Sequence, residues 1–383
     1  MDDAVLLHLT TSAEWRAALD TGAVTPPSLA EVGFVHLSTP DQAHLPAERL
    51  FPGRRDVVVL VVDPFRLRAP VRFEPGVPGD PASMRFPHLY GPLPTSAVVA
   101  VLPWRAAAAA ELPSPADAAA RARALAVSLA TRRAAEVRDD PAGFAVCDPA
   151  FAHSRDDNRL LVTRPVGADA VESATAELAA AAGWPHRAAT LLCPDAGPVA
   201  DELARRGWEV SPVLVMARRL DGPVPGPAGP STAEVVPQAA VHGLWESSWR
   251  RELGGAVGDL DEVVGQLVGR EHRNDRVVRV VDLAVREAGT VVAAGQLRVD
   301  GATAAVDSVL TDRAARGRGH ADAVLGLALD LAVAAGCDLV VLDAAALDWP
   351  RHWYARRGFT EVGRRWDVVR AGAQTGATTD RMM

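Results

Sequence analysis

The residues best suited to chemistry lie in the last third of the chain. An apolar run leads into Thr311-Asp312-Arg313-Ala314-Ala315-Arg316-Gly317-Arg318-Gly319-His320-Ala321, and a long apolar segment follows. A glycine-bearing turn that opens a helix is an anion cradle. Unpaired N–H groups of the first turn, the positive end of the helix dipole and residues small enough to let backbone approach oxygen are what a pyrophosphate requires. Arg316 and Arg318 add positive charge. Upstream, Asp307 interrupts an apolar strand-like run, where a carboxylate costs stability unless it is exposed or paired. By strand alternation it shares a face with Val309 and Thr311. It can accept an amine proton, bind a cation, or pair with one of the many arginines. Downstream stands Trp353-Tyr354-x-x-x-Gly358-Phe359, and Tyr354 is one of only 2 tyrosines.

These groups need a scaffold, and an internal repeat supplies one. Leu203-Ala204-Arg205-Arg206-Gly207-Trp208 parallels Tyr354-Ala355-Arg356-Arg357-Gly358-Phe359, and the pairs Gly183 and Gly336, Arg164 and Arg316 recur at nearly the same offset. Each copy reads as strand, Arg-containing turn, long helix, Gly, strand, short helix ending in Arg-Arg-Gly, strand: a β-α-β-α-β half-domain. In the second copy the periodicity predicts strands over 303–311, 339–343 and 359–370 and a helix over 319–335. In the first it predicts strands over 160–163, 188–193 and 208–218 and a helix over 168–182. Only the second copy has enough upstream sequence to be complete.

The order Arg316, Gly319, Ala321, long helix, apolar strand and Trp353-Tyr354-x-x-x-Gly358-Phe359 resembles the GCN5-related N-acetyltransferase (GNAT) superfamily over residues 233–370. The resemblance implies an acetyl-CoA or other acyl-CoA co-substrate. Its pyrophosphate would sit on residues 317–321, taking in Arg316, Gly317, Arg318, Gly319, His320 and Ala321, and its pantetheine arm on Val309, Leu310 and Thr311. Tyr354 falls where this superfamily commonly places its general acid. A phenol with an ordinary pKa of about 10 stays protonated at neutral pH and can donate as basicity develops on a leaving thiolate, whose thiol titrates near about 8.5. Asp307 is then a candidate for taking the amine proton or holding a cationic acceptor. Many members carry an Asn ahead of the Tyr helix; here Asp343 to Trp349 contains none.

The first copy departs further. Leu203 replaces the tyrosine, and Asp169 stands where Ala321 does, adding negative charge to the would-be pyrophosphate site. Residues 138–220 are therefore expected to be a degenerate GNAT-like half that buttresses the active copy or helps form its acceptor groove. Residues 1–104 carry Leu7-His8-Leu9-Thr10-Thr11-Ser12, Gly33-Phe34-Val35-His36-Leu37-Ser38 and Phe86-Pro87-His88-Leu89-Tyr90-Gly91. They resemble a small bacterial domain family of unknown function whose fold is thought to be related to ADP-ribosyltransferases. His8, His36, Ser38, His88 and Tyr90 form a candidate pocket there, with NAD as the ligand the wider resemblance implies.

Composition narrows the field. The 383 residues imply two or three domains at roughly 150 residues each. All 40 basic residues are Arg. With no Lys, a P-loop, a pyridoxal-phosphate Schiff base and an amine nucleophile are excluded. A formal charge of -8 disfavours nucleic acid or an anionic membrane as partner. Cys147, Cys193 and Cys337 form no C-x-x-C pair, so no disulfide framework or zinc site is expected.

The expected organisation is a multidomain α+β and α/β protein. It comprises a small N-terminal α+β domain (1–104), a linker and helix (105–137), the degenerate half (138–220), a Pro/Gly linker (221–231), a GNAT fold with a mixed twisted sheet flanked by helices (232–370), and a loose tail (371–383). The expected activity is acyl-CoA-dependent N-acyl transfer in the cytoplasm to a small-molecule or peptide amine. The alternatives are an NAD-using N-terminal transferase and a non-catalytic acyl-CoA sensor. Neither the acceptor nor the oligomeric state is legible.

Overall fold

Val-, Leu- and Ala-rich segments at strand spacing assemble into one mixed sheet of 11 strands. The computed structural model describes residues 5–76, 84–105, 112–221, 232–254 and 259–371. Most of the alanine run, of the Gly/Pro linker and of the C-terminal tail lies outside the described residues. The sheet order is Glu234–Val236, Arg279–Glu287, Thr290–Asp300, Thr303–Thr311, Leu339–Ala345, Glu209–Arg219, Thr360–Ala371, His186–Leu191, Arg159–Val162, Gly143–Cys147, Glu136–Asp140.

That order contains an exchange. The last strand of the first copy, Glu209–Arg219, pairs antiparallel with Leu339–Ala345 of the second. The last strand of the second, Thr360–Ala371, pairs with His186–Leu191 of the first. The two exchanged strands also pair with each other. The copies are therefore not self-contained β-α-β-α-β units, as the repeat alone implies. Each completes the other, and the junction leaves no unpaired strand edge.

Helices cover both faces. His320–Ala334 and Pro350–Ala355 pack on one face through Val324, Ala328, Leu329, Trp353 and Tyr354. Ala168–Ala182 and Gly197–Arg205 do the same for the first copy. On the opposite face His242–Leu253 and Leu260–Gly269 cover the second copy through Trp245 and Val264. Helix Ala118–Arg133, begun by an Asp117 cap on the Ala120 N–H, straddles both copies. Its Arg121 is wholly buried and donates to Thr303 Oγ1, the Ala302 carbonyl and Asp338. A buried guanidinium survives only when paired and fully hydrogen-bonded, so this side chain pins the helix.

The N-terminal domain has a sheet of Leu6–Thr11, Val57–Val62 and Val98–Pro103, and a second sheet of Val35–His36, Arg85–Leu89 and Val71–Pro75. Its helix Ser12–Thr21 starts with a Thr11–Glu14 capping box. Buried Trp15 donates from Nε1 to Asp300 Oδ1 at 2.7 Å, and the Ala302 N–H donates to the Val98 carbonyl at 2.7 Å. Gly301, at φ +83, approaches so closely that a Cβ would lie 2.4 Å from that carbonyl. The domain is thus seated on the turn before strand Thr303–Thr311. Among the described residues no helix is long and apolar enough to cross a membrane.

Candidate active site

Strands Thr303–Thr311 and Leu339–Ala345 run parallel, but their pairing stops at Ala305 and Val341. Beyond that point the first strand continues for six residues while the second follows Glu209–Arg219 instead. A wedge opens between them. Its origin is a bulge: Ala294 pairs with Leu310 and Gln296 with Asp307, so Ser308 and Val309 stand opposite the single residue Gly295. Ser308 takes φ 54, a left-handed conformation that is uncommon for residues other than glycine.

The bulge corrects the expected facing of Asp307. Alternation is broken at Ser308, so Asp307 shares a face with Leu310, which packs with Trp245 and Ala294. Val309 turns to the other face, near Val324 of the long helix.

The turn after this strand is ordered by Asp312, whose carboxylate accepts from the Ala314 N–H at 2.9 Å. Gly317 and Gly319 take φ 77 and 84, and a Cβ on either would meet nothing within 4 Å. Gly319 caps helix His320–Ala334 with no side-chain hydrogen bond to the first turn. The result is an open helix N-terminus that follows, through the Gly317 and Gly319 turn, the strand end carrying Val309, Leu310 and Thr311 at the wedge. The charge there differs from expectation. Arg318 reaches Glu287 at 2.8 Å and His320 Nε2 lies 3.0 Å from the same carboxylate. Hydrogen bonding to Arg318 holds Glu287 below the ordinary carboxylate range, so it is anionic and offsets the positive charge of this edge. Arg316 folds back to the Thr311 carbonyl at 3.3 Å. An anion here would rest on backbone amides and the helix dipole more than on the arginines.

The first copy has no such wedge. Its parallel pair stays zipped to Val162 and Leu191, and the N–H groups of Leu192 and Cys193 both donate to the Val162 carbonyl. Asp169, in the first turn of helix Ala168–Ala182, pairs with Arg206 at 2.5 Å.

The model for the acetyltransferase (GNAT) family matches residues 241–359, the span that holds the wedge, the open helix and Tyr354. The chain carries a GNAT acetyltransferase domain. Residues 9–101 belong to a second family, described as protein of unknown function (DUF952). Among solved structures, a Caulobacter crescentus protein is 33% identical over 27% of this chain and 89% of its own, with a TM-score of 0.24. A GCN5-related N-acetyltransferase from Kribbella flavida is 20% identical over 67% of this chain and 96% of its own, with a TM-score of 0.45. A tandem GNAT protein from the clavulanic acid biosynthesis pathway is 18% identical over 55% and 69%, with a TM-score of 0.39. No curated protein matches the sequence.

Within the GNAT domain, Tyr354 packs edge-on against Trp353 and Phe359 and is 8% exposed. Its hydroxyl makes no hydrogen bond to another described residue. Burial, and then the Asp307 carboxylate, push the phenol well above its ordinary value. It is therefore a protonated donor at neutral pH, and transfer of its proton is harder than an ordinary phenol's.

Asp307 meets Arg298 Nη1 at 2.5 Å. Desolvation works against its charge, but Arg298, the Ser308 hydrogen bonds and Arg270 together outweigh that and hold it below the ordinary range. Arg298 is itself held by Gln296, which bonds Asp282 at 2.8 Å, and by Glu271 at 2.8 Å.

One carboxylate was missed. Asp343, on strand Leu339–Ala345, is within electrostatic reach of Asp307 and pairs with Arg365 at 3.0 Å. Burial, with Asp367 and Asp307 nearby, holds it above the ordinary range despite Arg365. The signal was available, since Asp343 interrupts an apolar strand just as Asp307 does.

The N-terminal candidates separate into two sets. His36, His88 and Tyr90 gather around Phe34, with His88 stacked on it at 4.0 Å and Tyr90 Oη donating to Glu74 at 2.7 Å. His8 is buried and bonds the His36 carbonyl through Nδ1 at 2.8 Å, and burial lowers its pKa. Ser38 is buried in a bridge with Leu7. His8 and Ser38 thus serve the seam between the sheets, while the other three flank an aromatic cluster. Two surface cavities of about 420 and 500 Å³ contain none of the sequence-predicted site residues in their linings. No group of His, Cys, Asp or Glu among the described residues could hold a metal.

Proposed function

We propose that this protein is an acyl-CoA-dependent N-acyltransferase, with acetyl-CoA as donor and an amine as acceptor. The observation that carries the reading is the coincidence, at one end of one strand pair, of a wedge between splayed parallel strands and an open helix N-terminus. A wedge admits a long flexible arm between two backbones, and the glycine turn accommodates the pyrophosphate at the arm's end. The donor supplies a thioester acyl group. The residues of this chain do the rest. An acceptor enters as an ammonium and loses a proton to become nucleophilic. Its nitrogen then bonds to the acyl carbon, the carbon–sulfur bond breaks, and the second nitrogen proton leaves. Asp307 or Asp343 takes these protons onward to solvent, and Asp343, with its raised pKa, is the better matched base. The Tyr354 hydroxyl hydrogen-bonds to the departing sulfur and stabilises the charge that develops there.

An acceptor screen with acetyl-CoA and free-thiol detection tests the reading directly. Tyr354→Phe is expected to lower kcat about 100-fold while leaving the KM for acetyl-CoA within about threefold, because the phenol's contact forms chiefly as sulfur departs. Full turnover by this variant under chemistry-limited conditions would contradict the mechanism.

A further inference from the structure

Asp307 and Asp343 are the two ends of an arc of alternating charge that passes through the first copy. From Asp307 it runs to Arg298, then Glu271, Arg270 at 3.3 Å, and Asp156 at 2.8 Å. It continues through Arg159 at 2.9 Å, Asp367 at 3.7 Å and Arg365 at 2.5 Å back to Asp343. The two kinds of charge are not equally presented. Asp156, Asp307 and Asp343 keep 44%, 48% and 49% of their side-chain accessibility, while Arg298, Arg270, Arg159 and Arg365 keep 7%, 12%, 15% and 16%. Glu271, at 10%, is as buried as the guanidinium groups, and Asp367 keeps 31%, so the accessible charge of the arc is carried by Asp156, Asp307, Asp343 and, less, Asp367, with the guanidinium groups behind. A visiting anion meets repulsion, and a visiting cation meets oxygen atoms already held in place.

Asp156 is not on a loose excursion. Its loop is tied by Asn158, which donates to the carbonyls of Asp148, Phe151 and Ser154, and by Arg270 on Ser154 Oγ at 2.7 Å. One further group marks where chemistry meets this arc. Tyr354, more than nine-tenths buried and with no hydrogen-bond partner for its hydroxyl among the described residues, lies within electrostatic reach of Asp307.

We infer that the acceptor is an amine bearing at least two positive charges, one nitrogen reacting beside Asp307 and Asp343 while the second ammonium is held by Asp156 of the first copy. The inference rests on the acyltransferase reading and names its acceptor class. The second copy would thus carry the donor site, and the first would complete the acceptor site.

The test uses the full chain, acetyl-CoA and three six-carbon acceptors that differ only in charge: 1,6-diaminohexane, hexylamine and 6-aminohexanoate. Expected kcat/KM falls in that order by about tenfold per step, the scale of one partly screened charge pair. Asp156→Asn is expected to shrink the diamine-to-monoamine ratio about tenfold, and Asp156→Glu to restore most of it. Calorimetry of 1,6-diaminohexane on the free protein is expected to show binding that Asp156→Asn weakens. If Asp156→Asn fails to fold, the wild-type charge series still decides. A flat or reversed charge series with measurable transfer overturns the inference and leaves the acyltransferase reading intact. Absence of acetyl-CoA binding, and of transfer to any amine, defeats that reading and takes the inference with it.

Discussion

Asp343 holds its proton more tightly in the folded chain than an ordinary aspartate does: about half of its side chain is accessible, but desolvation by the surrounding protein and the nearby Asp367 and Asp307 carboxylates oppose its charge. The native state therefore disfavours ionisation of Asp343 relative to the unfolded chain. Its ionisation costs no stability below the unfolded pKa, and the cost appears as pH rises through the folded value. Asp343→Asn is thus expected to raise Tm at pH 7 while lowering turnover, since Asn still accepts from Arg365 but cannot take a proton. A Tm that falls would mean that the pair with Arg365 outweighs the burial cost. Tyr354 behaves oppositely with respect to rate: its raised pKa removes phenol ionisation from the working range, so any loss of activity at alkaline pH below about 10 should persist unchanged in shape in Tyr354→Phe. The residue types at Tyr354 and in the 317–321 turn were legible in the sequence because each is rare or positioned by a helix start. The pairing of Arg318 and His320 with Glu287 was not, since it depends on a strand whose register periodicity does not specify.

At the scale of elements, the wedge depends on one backbone conformation. Ser308 at φ 54 is tolerated where a β-branched side chain would not be. Ser308→Val is expected to destabilise by about 1–2 kcal/mol in urea unfolding and to weaken acetyl-CoA binding. Ser308→Gly should retain both. The cradle gives a second element-scale expectation. Gly319 sits at φ 84, whereas Gly167 at the matching turn sits at φ -81. Gly319→Glu should lose acetyl-CoA binding at least about 100-fold, from backbone strain and negative charge together. Gly167→Glu should change it less than twofold by calorimetry; equal losses would show that both turns bind the donor. Helix 168–182 and strand 303–311 were readable to the residue from periodicity and glycine punctuation. The bulge was not, because Asp307-Ser308-Val309 carries no glycine to announce it. Alternation therefore put Asp307 on the wrong face relative to Val309.

The whole molecule is joined where the sequence suggested divisions. Repeats reveal that two units exist, but the pairing partners of their last strands are a property of the assembled sheet. Glu209–Arg219 and Thr360–Ala371 each follow a similar short helix, and nothing local says which neighbour each will take. Residues 232–383 expressed alone would leave Leu339–Ala345 without its Glu209–Arg219 partner and Thr360–Ala371 without both of its own. The fragment is expected to aggregate or to dimerise by strand exchange in size-exclusion chromatography; a folded monomer that binds acetyl-CoA would refute this.

The exchange also fixes an order of events during synthesis. The ribosome makes the first copy before the second, yet His186–Leu191 acquires its second neighbour only when residues 360–371 have emerged. The first copy must wait, with a bare strand edge, through the synthesis of the whole second copy. Final assembly of both copies is thus a single step that cannot precede synthesis of the second copy's last strand.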